Sequence, residues 1–468
     1  MNDRPALVRG LGLTAAASVN IANMIGTGVF LKARVMTCNV GDPGMVLLVW
    51  VAAGLLAMAG ALTYAELATM MPRTGGAYVF LREAYGRPMG FLYGWTIFGV
   101  ARTGSQAALA VGCGIFLNAL LGGALNGVYF TLHFFGQTVP IGKLQLVGLS
   151  AIALITLVNC ASVVVSGRVS SILTAIKILL VLAVGAGAMF LAHGNWGNFS
   201  LSGMAGSCEA VASTARGGLA GFGAAMLGAL WAYDGWDLVT SLAGEVRDPK
   251  RNMPRAFIGA MLVVGALYLF VNIGYFYVLT PTEIASVPLS SSVASEVTKR
   301  FLGPAAVGLI AMALLASSFG ALHSSIFANS RVPFAMAQDG LFFRKLAEVS
   351  TKNRVPVNAL IAQAVWASVL TLSGTYDTLT DCVMFASWLL YGLTAASVFV
   401  FRKRMPDLER PYRTWGYPVV PALFLLVTAW LLINTLMATP VQAIAGLVLI
   451  AIGLPFYWYW SRKTAPQV

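Results

Sequence analysis

Charged side chains are scarce in this sequence. Asp, Glu, Lys and Arg make up 10% of the residues, whereas hydrophobic residues make up 58% and the mean hydropathy is +0.79. A soluble domain carries roughly 25% charged residues, so this composition excludes an ordinary soluble globular protein. We therefore expect an integral membrane protein, with the lipid bilayer as its first partner.

Paired cysteines and catalytic motifs are also lacking. The five cysteines are Cys38, Cys113, Cys160, Cys208 and Cys382. Their number is odd and no CxxC spacing occurs, so we expect neither a disulfide framework nor a metal site. No HExxH, GxSxG or P-loop pattern is present, which argues against an enzyme and against ATP-driven transport by this chain. We expect no cofactor.

Long apolar runs dominate the chain instead. About twelve of them reach the roughly 20 residues that a membrane-spanning helix needs. Their approximate limits are 11–35, 44–71, 88–121, 144–166, 169–192, 217–244, 256–279, 304–330, 355–374, 380–401, 417–438 and 441–460. The N-terminus lacks the pattern of a signal peptide, so we expect the first run to be retained as a span. Since the runs do not alternate as barrel strands do, we predict an all-α membrane protein of about 12 transmembrane helices.

Basic residues indicate the orientation of these spans. The net charge of +13 comes from 30 Lys and Arg against 17 Asp and Glu. Most of the basic residues follow even-numbered spans or lie in the tails, which is typical of cytoplasmic loops rather than of a nucleic-acid interface. We therefore predict cytoplasmic tails at 1–10 and 462–468, and no nucleic-acid partner.

Two of the apolar runs are interrupted near their middle. Gly26-Thr27-Gly28 breaks the first run and Asp234-Gly235 breaks the sixth. Breaks that lie five spans apart are typical of an inverted repeat, because an odd number of spans per repeat reverses its topology. We predict repeats at 11–192 and 217–401, followed by two additional helices at 402–461. Glycine pairs that only pack helices together are the alternative interpretation.

A broken helix has a use at membrane depth. The half that begins after the break presents free N–H groups with partial positive charge, which bind a carboxylate. The half that ends at the break presents free carbonyls, which accept hydrogen bonds from an ammonium group. Irregular backbone at this depth is tolerated where it lines a cavity. Two such breaks could hold a zwitterion, and an α-amino acid carries both poles on one carbon.

Six motifs resemble the amino acid–polyamine–organocation (APC) superfamily, and within it bacterial members of the L-type amino-acid transporter branch. They are IGTGVF at 25–30, TYAELATMMPRTGGAYVFLREAYG at 63–86, RTGSQ at 102–106, LWAYDGW at 230–236, EVRDPKRNMPRA at 245–256 and RPYRTWGYPVVPALF at 410–424. The resemblance covers nearly the whole chain. It implies a LeuT-like fold of two inverted five-helix repeats with helices 1 and 6 broken, and a secondary active transporter that works by alternating access. It also implies a bacterial inner membrane location.

The resemblance assigns a substrate site as well. The substrate-binding residues that it implies are Met24, Gly26, Thr27, Gly28, Trp231, Asp234 and Tyr268. Backbone N–H groups of the first break would meet the α-carboxylate, and carbonyls of Met24, Trp231 and Asp234 would meet the α-amino group. Trp231 stands at the position of an aromatic gate, where relatives often carry phenylalanine. The larger ring favours small side chains, so the implied function is exchange of small neutral L-amino acids.

Ionisable residues inside the spans leave alternatives open. Lys177 lies in the middle of span 5, where an ionisable group is costly and usually functional. The resemblance implies that it replaces a sodium ion and ties the first span to the fifth and eighth, with Ser325 as its neighbour; we therefore expect sodium-independent transport, with proton-coupled import as an alternative. Asp234 either ends a helix or attracts a cationic side chain, which would make the protein a cationic amino-acid exchanger. Arg102 either contacts a substrate or has a structural partner.

Other functional classes fit the sequence less well. Broken helices whose ends differ in sign suit an occluded zwitterion better than the continuous pore of a channel. An amino-acid sensor would need a segment that carries a signal, and no long soluble segment is present. Eukaryotic members of the branch carry a cysteine after span 3 that links a heavy subunit, whereas residues 122–143 contain none. We therefore expect no disulfide-linked heavy subunit.

Overall fold

The computed structural model describes residues 6–134, 137–203, 205–288, 291–373, 376–438 and 440–464, so the ends of both predicted tails lie outside it. The α-helices are α1 (Leu13–Met24), α2 (Gly28–Val40), α3 (Pro43–Met70), α4 (Ala77–Tyr85), α5 (Arg87–Thr96), α6 (Arg102–Leu120), α7 (Lys143–Ala161), α8 (Val163–Phe190), α9 (Gly218–Ala232), α10 (Pro249–Val278), α11 (Pro281–Ala285), α12 (Val293–Leu302), α13 (Ala305–Asn329), α14 (Arg331–Gln338), α15 (Val357–Ser373), α16 (Tyr376–Arg404), α17 (Val419–Ala438), α18 (Pro440–Ala451) and α19 (Gly453–Thr464). A π-helical segment, Ile97–Ala101, joins α5 to α6. Strands β1 (Val128–Phe134) and β2 (Gln137–Gly142) form an antiparallel hairpin.

These helices account for the predicted spans. Within the described ranges, 9 helical stretches are long and apolar enough to cross a membrane, and α1 with α2 forms a tenth span that is bent by 44° at the break. Helices α9 and α15 are shorter apolar helices at the positions of the predicted sixth and ninth spans. The prediction of an all-α membrane protein is thereby confirmed. The β1–β2 hairpin between α6 and α7 is an addition that the pattern of apolar runs does not predict.

Local chemistry fixes where the spans begin and end. The Asp42 carboxylate caps α3 by accepting a hydrogen bond from the N–H of Met45 at 2.8 Å, and Pro43 occupies the first turn. Helix α2 ends at Gly41, whose φ of +75° is a left-handed conformation that glycine adopts without steric cost. The chain therefore reverses within two residues, and α3 returns antiparallel to the first span.

The two ends of the helical bundle differ in composition. The connections rich in Arg and Lys form what we call the basic end, at residues 71–86, 246–248, 330–356 and 405–418. Because successive spans are antiparallel, the other connections meet at the opposite end. This hairpin end comprises residues 121–142, 191–217 and 279–304. Between the two ends, large apolar side chains such as Leu157 and Leu179 are 71% and 64% exposed, as expected of a lipid-facing surface.

Ion pairs connect segments of the chain at the basic end. Both carboxylate oxygens of Glu245 accept hydrogen bonds from Arg331, at 2.8 and 2.9 Å, and both side chains are 0% exposed. Glu66 accepts two hydrogen bonds from Arg402 in the same way, at 2.9 and 2.7 Å. The N–H of Leu11 donates to the carbonyl of Glu245 at 3.0 Å. The segment before α1 is thereby fixed to the connection that follows span 6.

A disulfide ties the hairpin end together. Cys38, near the end of α2, is bonded to Cys208 in the connection that precedes α9. The expectation of no disulfide framework is therefore wrong. The two cysteines are 170 residues apart in the chain, so only the tertiary fold brings them together and spacing could not reveal the pair. The Arg34 guanidinium adds a hydrogen bond to the carbonyl of Glu209 at 2.9 Å, next to the disulfide.

Candidate functional site

The two helix breaks meet inside the bundle. A Cβ built on Gly28 would lie 2.7 Å from the Cβ of Ala232, the last residue of α9. Gly235 has a φ of +98°, and a Cβ there would lie 1.9 Å from the amide nitrogen of Asn23. The first break requires glycine at position 28 because α9 approaches it closely. The second break requires glycine at position 235 because of both its backbone conformation and the neighbouring Asn23 side chain. The predicted breaks at 26–28 and 234–235 are confirmed.

A cavity of about 380 Å³ lies at this meeting point, at the lower end of the range for small-molecule sites. It is lined by Asn23, Met24, Gly26, Thr27, Gly28, Leu31, Ser105, Ala108, Leu109, Val111, Gly112, Ile115, Phe116, Trp231, Ala232, Asp234, Ser318 and Ala321. Six of the seven predicted substrate-binding residues are therefore in its wall. Helices α6 and α13 supply most of the remaining surface.

The first break presents its N–H groups to this cavity. Thr27 and Gly28 begin α2, and no hydrogen bond from their N–H groups to any described residue is found. A Cβ built on Gly26 would meet nothing closer than 3.9 Å. The positive end of α2 is thus accessible to an anionic group, in the arrangement that the sequence predicts for a carboxylate.

Part of the cavity wall lies toward the hairpin end. Leu31 on α2 and Ile115 on α6 lie on the hairpin-end halves of their helices and are 39% and 47% exposed. Trp231, the predicted gate, is half-buried and lines the cavity. The ammonium of Lys32 lies 4.6 Å from the centre of the Trp231 ring.

Tyr268 does not line the cavity, unlike the other predicted substrate-binding residues. It is 0% exposed, and its hydroxyl lies 2.6 Å from the carbonyl oxygen of Met24 and 2.8 Å from that of Ala232. The hydroxyl therefore joins the ends of α1 and α9. The Met24 carbonyl, which the family resemblance assigns to a substrate ammonium group, already accepts this hydrogen bond.

Lys177 is buried beside the first break. Its ammonium donates hydrogen bonds to the carbonyls of Ala22 and Ile25, the latter at 2.9 Å, and the residue is 1% exposed. The hydroxyl of Ser317 on α13 donates to the same Ile25 carbonyl at 2.7 Å. A fifth-span lysine and an eighth-span serine thus hold the free carbonyls at the end of α1.

The eighth-span partner is therefore Ser317 and not Ser325. Ser325 follows Ser317 by eight residues on the same helix, which places it about 12 Å farther along the axis. There it accepts hydrogen bonds from the amides of Gln106 at 3.0 Å and Asn329 at 3.1 Å. Both serines lie near one face of α13, because eight residues are close to two full turns, and the sequence spacing alone does not separate them.

Arg102 holds the second break. Its guanidinium donates to Asp234 at 2.9 Å, to Asp237 at 3.1 Å and to the hydroxyl of Tyr391 at 2.6 Å. The Tyr391 hydroxyl donates in turn to the other oxygen of Asp234 at 2.7 Å. Arg102 is 6% exposed and directly follows the π-helical segment Ile97–Ala101. Of the two predicted roles for Arg102, the structure shows the structural partner.

Three residues of this arrangement are not predicted from the sequence: Asn20, Asp237 and Tyr391. The amide of Asn20 donates to the carbonyl of Trp236 at 2.5 Å and accepts from the N–H of Val239 at 2.9 Å, which fixes span 6 beyond its break to α1. An asparagine and a second aspartate inside apolar runs were available signals, since polar groups at this depth need partners. Tyr391 carries no such signal.

Comparison with known proteins decides the family. The model of the family described as "Amino acid permease" matches residues 11–457. The chain belongs to the amino acid permease family. It is 30% identical to the b(0,+)-type amino acid transporter 1 of Mus musculus, over 99% of this chain and 91% of that protein. It is also 30% identical to the serine/threonine exchanger SteT of Bacillus subtilis, over 98% of each chain.

The chain also resembles a third relative over most of that protein's length. The permease is 31% identical to the large neutral amino acids transporter small subunit 2 of Mus musculus, over 98% of this chain and 82% of that protein. All three relatives are amino-acid transporters by name. The predicted APC superfamily, the LeuT-like fold class and the function of amino-acid transport rather than enzymatic catalysis are thereby confirmed.

Proposed function

We propose that this permease is a sodium-independent exchanger of small neutral L-amino acids that works by alternating access. The observation that carries the proposal is the pair of N–H groups at Thr27 and Gly28, two residues that line the cavity and whose N–H groups donate to no described residue. A substrate carboxylate placed there gains hydrogen bonds and the positive end of α2. An amino acid supplies that carboxylate and a polyamine does not.

The size and lining of the cavity support small neutral side chains. A volume of about 380 Å³ must hold the whole substrate, and Trp231 occupies one side of it. Ala108, Leu109 and Val111 give the α6 side an apolar surface. The relative SteT is named as a serine/threonine exchanger, and its name therefore supports both a small substrate and exchange.

Lys177 supports independence from sodium. Its ammonium and the Ser317 hydroxyl already satisfy the carbonyls at the end of α1. Carbonyl oxygens and hydroxyls are the kind of ligand that a hard cation such as sodium needs. Lys177 and Ser317 therefore occupy the carbonyl oxygens that such a cation would need, and we infer that no sodium ion is required to complete the first break.

We also propose that the basic end is cytoplasmic, that both termini lie on that side, and that the membrane is a bacterial inner membrane. The excess of Lys and Arg at the basic end supports this orientation. The disulfide between Cys38 and Cys208 lies at the opposite end, and disulfides persist in oxidising compartments. Since residues 122–143 lack cysteine, we propose that no disulfide-linked heavy subunit is required.

Reconstituted transport tests the proposal. Purified protein in liposomes loaded with unlabelled alanine should take up labelled alanine in sodium-free buffer, and empty liposomes should not. Addition of sodium should leave the rate unchanged. Uptake into empty liposomes driven by an inward proton gradient would replace exchange with proton-coupled import, and absence of alanine uptake in every condition would refute the small neutral substrate.

A further inference from the structure

We propose that Arg102 determines the charge selectivity of the site, by neutralising Asp234 and so excluding amino acids with cationic side chains. This inference rests on the proposed function, since it concerns which amino acids the cavity accepts. Asp234 is in the cavity wall and its side chain is 26% exposed. A free carboxylate in that position would attract a cationic side chain. The charge selectivity of the site therefore depends on whether the Asp234 carboxylate is free to bind a substrate.

Both oxygens of the Asp234 carboxylate already accept hydrogen bonds. One carboxylate oxygen accepts from Arg102 at 2.9 Å and the other from the Tyr391 hydroxyl at 2.7 Å. The same guanidinium reaches Asp237 at 3.1 Å. A substrate ammonium group would have to displace a guanidinium that two carboxylates and a hydroxyl hold in place. It would also approach that guanidinium closely, and like charges that are only partly solvated repel strongly.

Two carboxylates share the guanidinium of Arg102 at this break. A single aspartate at the break would pair completely with one arginine, whereas this chain places Asp234 and Asp237 three residues apart on the same segment. The two carboxylates anchor Arg102 from both sides. Removal of Arg102 together with the charge of Asp237 would leave one unneutralised carboxylate in the cavity wall.

The test uses two competitors of nearly equal shape. L-Norvaline and L-2,4-diaminobutyrate differ mainly in the exchange of a terminal methyl group for an ammonium group. Each is added at increasing concentration during uptake of labelled alanine into alanine-loaded liposomes, and the ratio of their half-inhibitory concentrations is measured. In the wild-type protein norvaline should compete and diaminobutyrate should not. In the double variant Arg102→Gln/Asp237→Asn the diaminobutyrate-to-norvaline ratio should fall at least about tenfold.

Matched variants assign the effect. Addition of Asp234→Asn to the double variant should restore the high ratio, because no carboxylate is left to bind the ammonium group. Arg102→Lys should also keep the ratio high, because a cation remains. Lys32→Gln removes the cation that lies over the Trp231 ring and should not lower the ratio. Should Lys32→Gln lower it as much as the double variant does, the charge of Lys32 rather than that of Arg102 would set the selectivity.

The inference fails separately from the proposed function. Wild-type exchange of alanine that is inhibited equally by both competitors would overturn the role of Arg102 and leave neutral exchange intact. An unchanged ratio in a folded double variant would overturn it too. If the double variant transports too slowly for competition, the increase in Tm that each compound gives to the purified variant replaces the inhibition curve. Stabilisation by norvaline alone would then contradict the proposal.

Discussion

The two helix breaks solve the same structural problem with different chemistry. At the first break, the free carbonyls of α1 are held by donors from neighbouring spans, Lys177 and Ser317. At the second break, the acidic side chains of the break itself are held by Arg102 from span 3. In both arrangements a buried basic side chain lies beside a broken helix. Polar groups at membrane depth need such hydrogen-bond partners.

Under the proposed function, this difference assigns different parts of substrate recognition to the two breaks. Main-chain carbonyls at the first break already accept hydrogen bonds from Lys177 and Ser317. In the proposed site, the N–H groups of Thr27 and Gly28 would meet the carboxylate that every α-amino acid carries. The second break offers a side chain, Asp234, whose availability can change with one neighbouring residue. The first break therefore suits recognition of the common part of the substrate, and the second suits selection among side chains.

The largest effect should come from closing the space at the second break. Gly235→Ala places a methyl group within 1.9 Å of the Asn23 amide in the built geometry, at a φ of +98°. Backbone strain of this kind costs about 1–3 kcal/mol before the clash is counted. We expect alanine exchange to be lost and the Tm of the purified protein to fall.

Gly259→Ala is the matched control for this variant. A Cβ at Gly259 on α10 meets nothing within 4 Å, and alanine is the better helix former. Tm and exchange should both be retained. Wild-type exchange by Gly235→Ala would show that the second break can relax without consequence, and that its geometry is not the reason for glycine.

The sequence predicts the breaks better than it predicts what holds them. Glycine pairs that interrupt apolar runs can be recognised in the sequence, and the motif LWAYDGW locates the second break directly. Lys177 is also visible, because a lone ionisable residue in a span needs a reason. The partners of these groups are not visible, since Ser317 and Ser325 share one helix face and Tyr391 is 289 residues from Arg102. Contacts of that separation are decided by the packing of whole helices.

Removal of the cation at the first break should give the next largest effect. Lys177→Met keeps an unbranched side chain but loses the hydrogen bonds to Ala22 and Ile25. Hydrogen bonds from charged groups contribute about 1.5–3 kcal/mol, so we expect exchange to slow by about 10- to 100-fold. Alanine exchange in sodium-free proteoliposomes measures the change.

Lys143→Met controls for the loss of a lysine as such. Lys143 also donates to a main-chain carbonyl, that of Ala124 at 3.2 Å, but it is exposed at the hairpin end. Its replacement should leave exchange near the wild-type rate. If sodium restores exchange to Lys177→Met, the ammonium stands in for that ion; if Lys177→Met exchanges at the wild-type rate, the first break does not depend on its cation.

The smallest effect should come from the hydroxyl that joins the two breaks. Tyr268→Phe keeps the buried ring and removes only the oxygen that lies 2.6 Å from Met24 and 2.8 Å from Ala232. One net hydrogen bond is worth ~1 kcal/mol, so exchange should slow by about fivefold. Tyr275→Phe, two turns along α10 and 3.5 Å from the Val29 carbonyl, should have less effect because that contact is long. Equal effects of the two variants would mean that the breaks move without a direct link through Tyr268, and that each is controlled by its own cation alone.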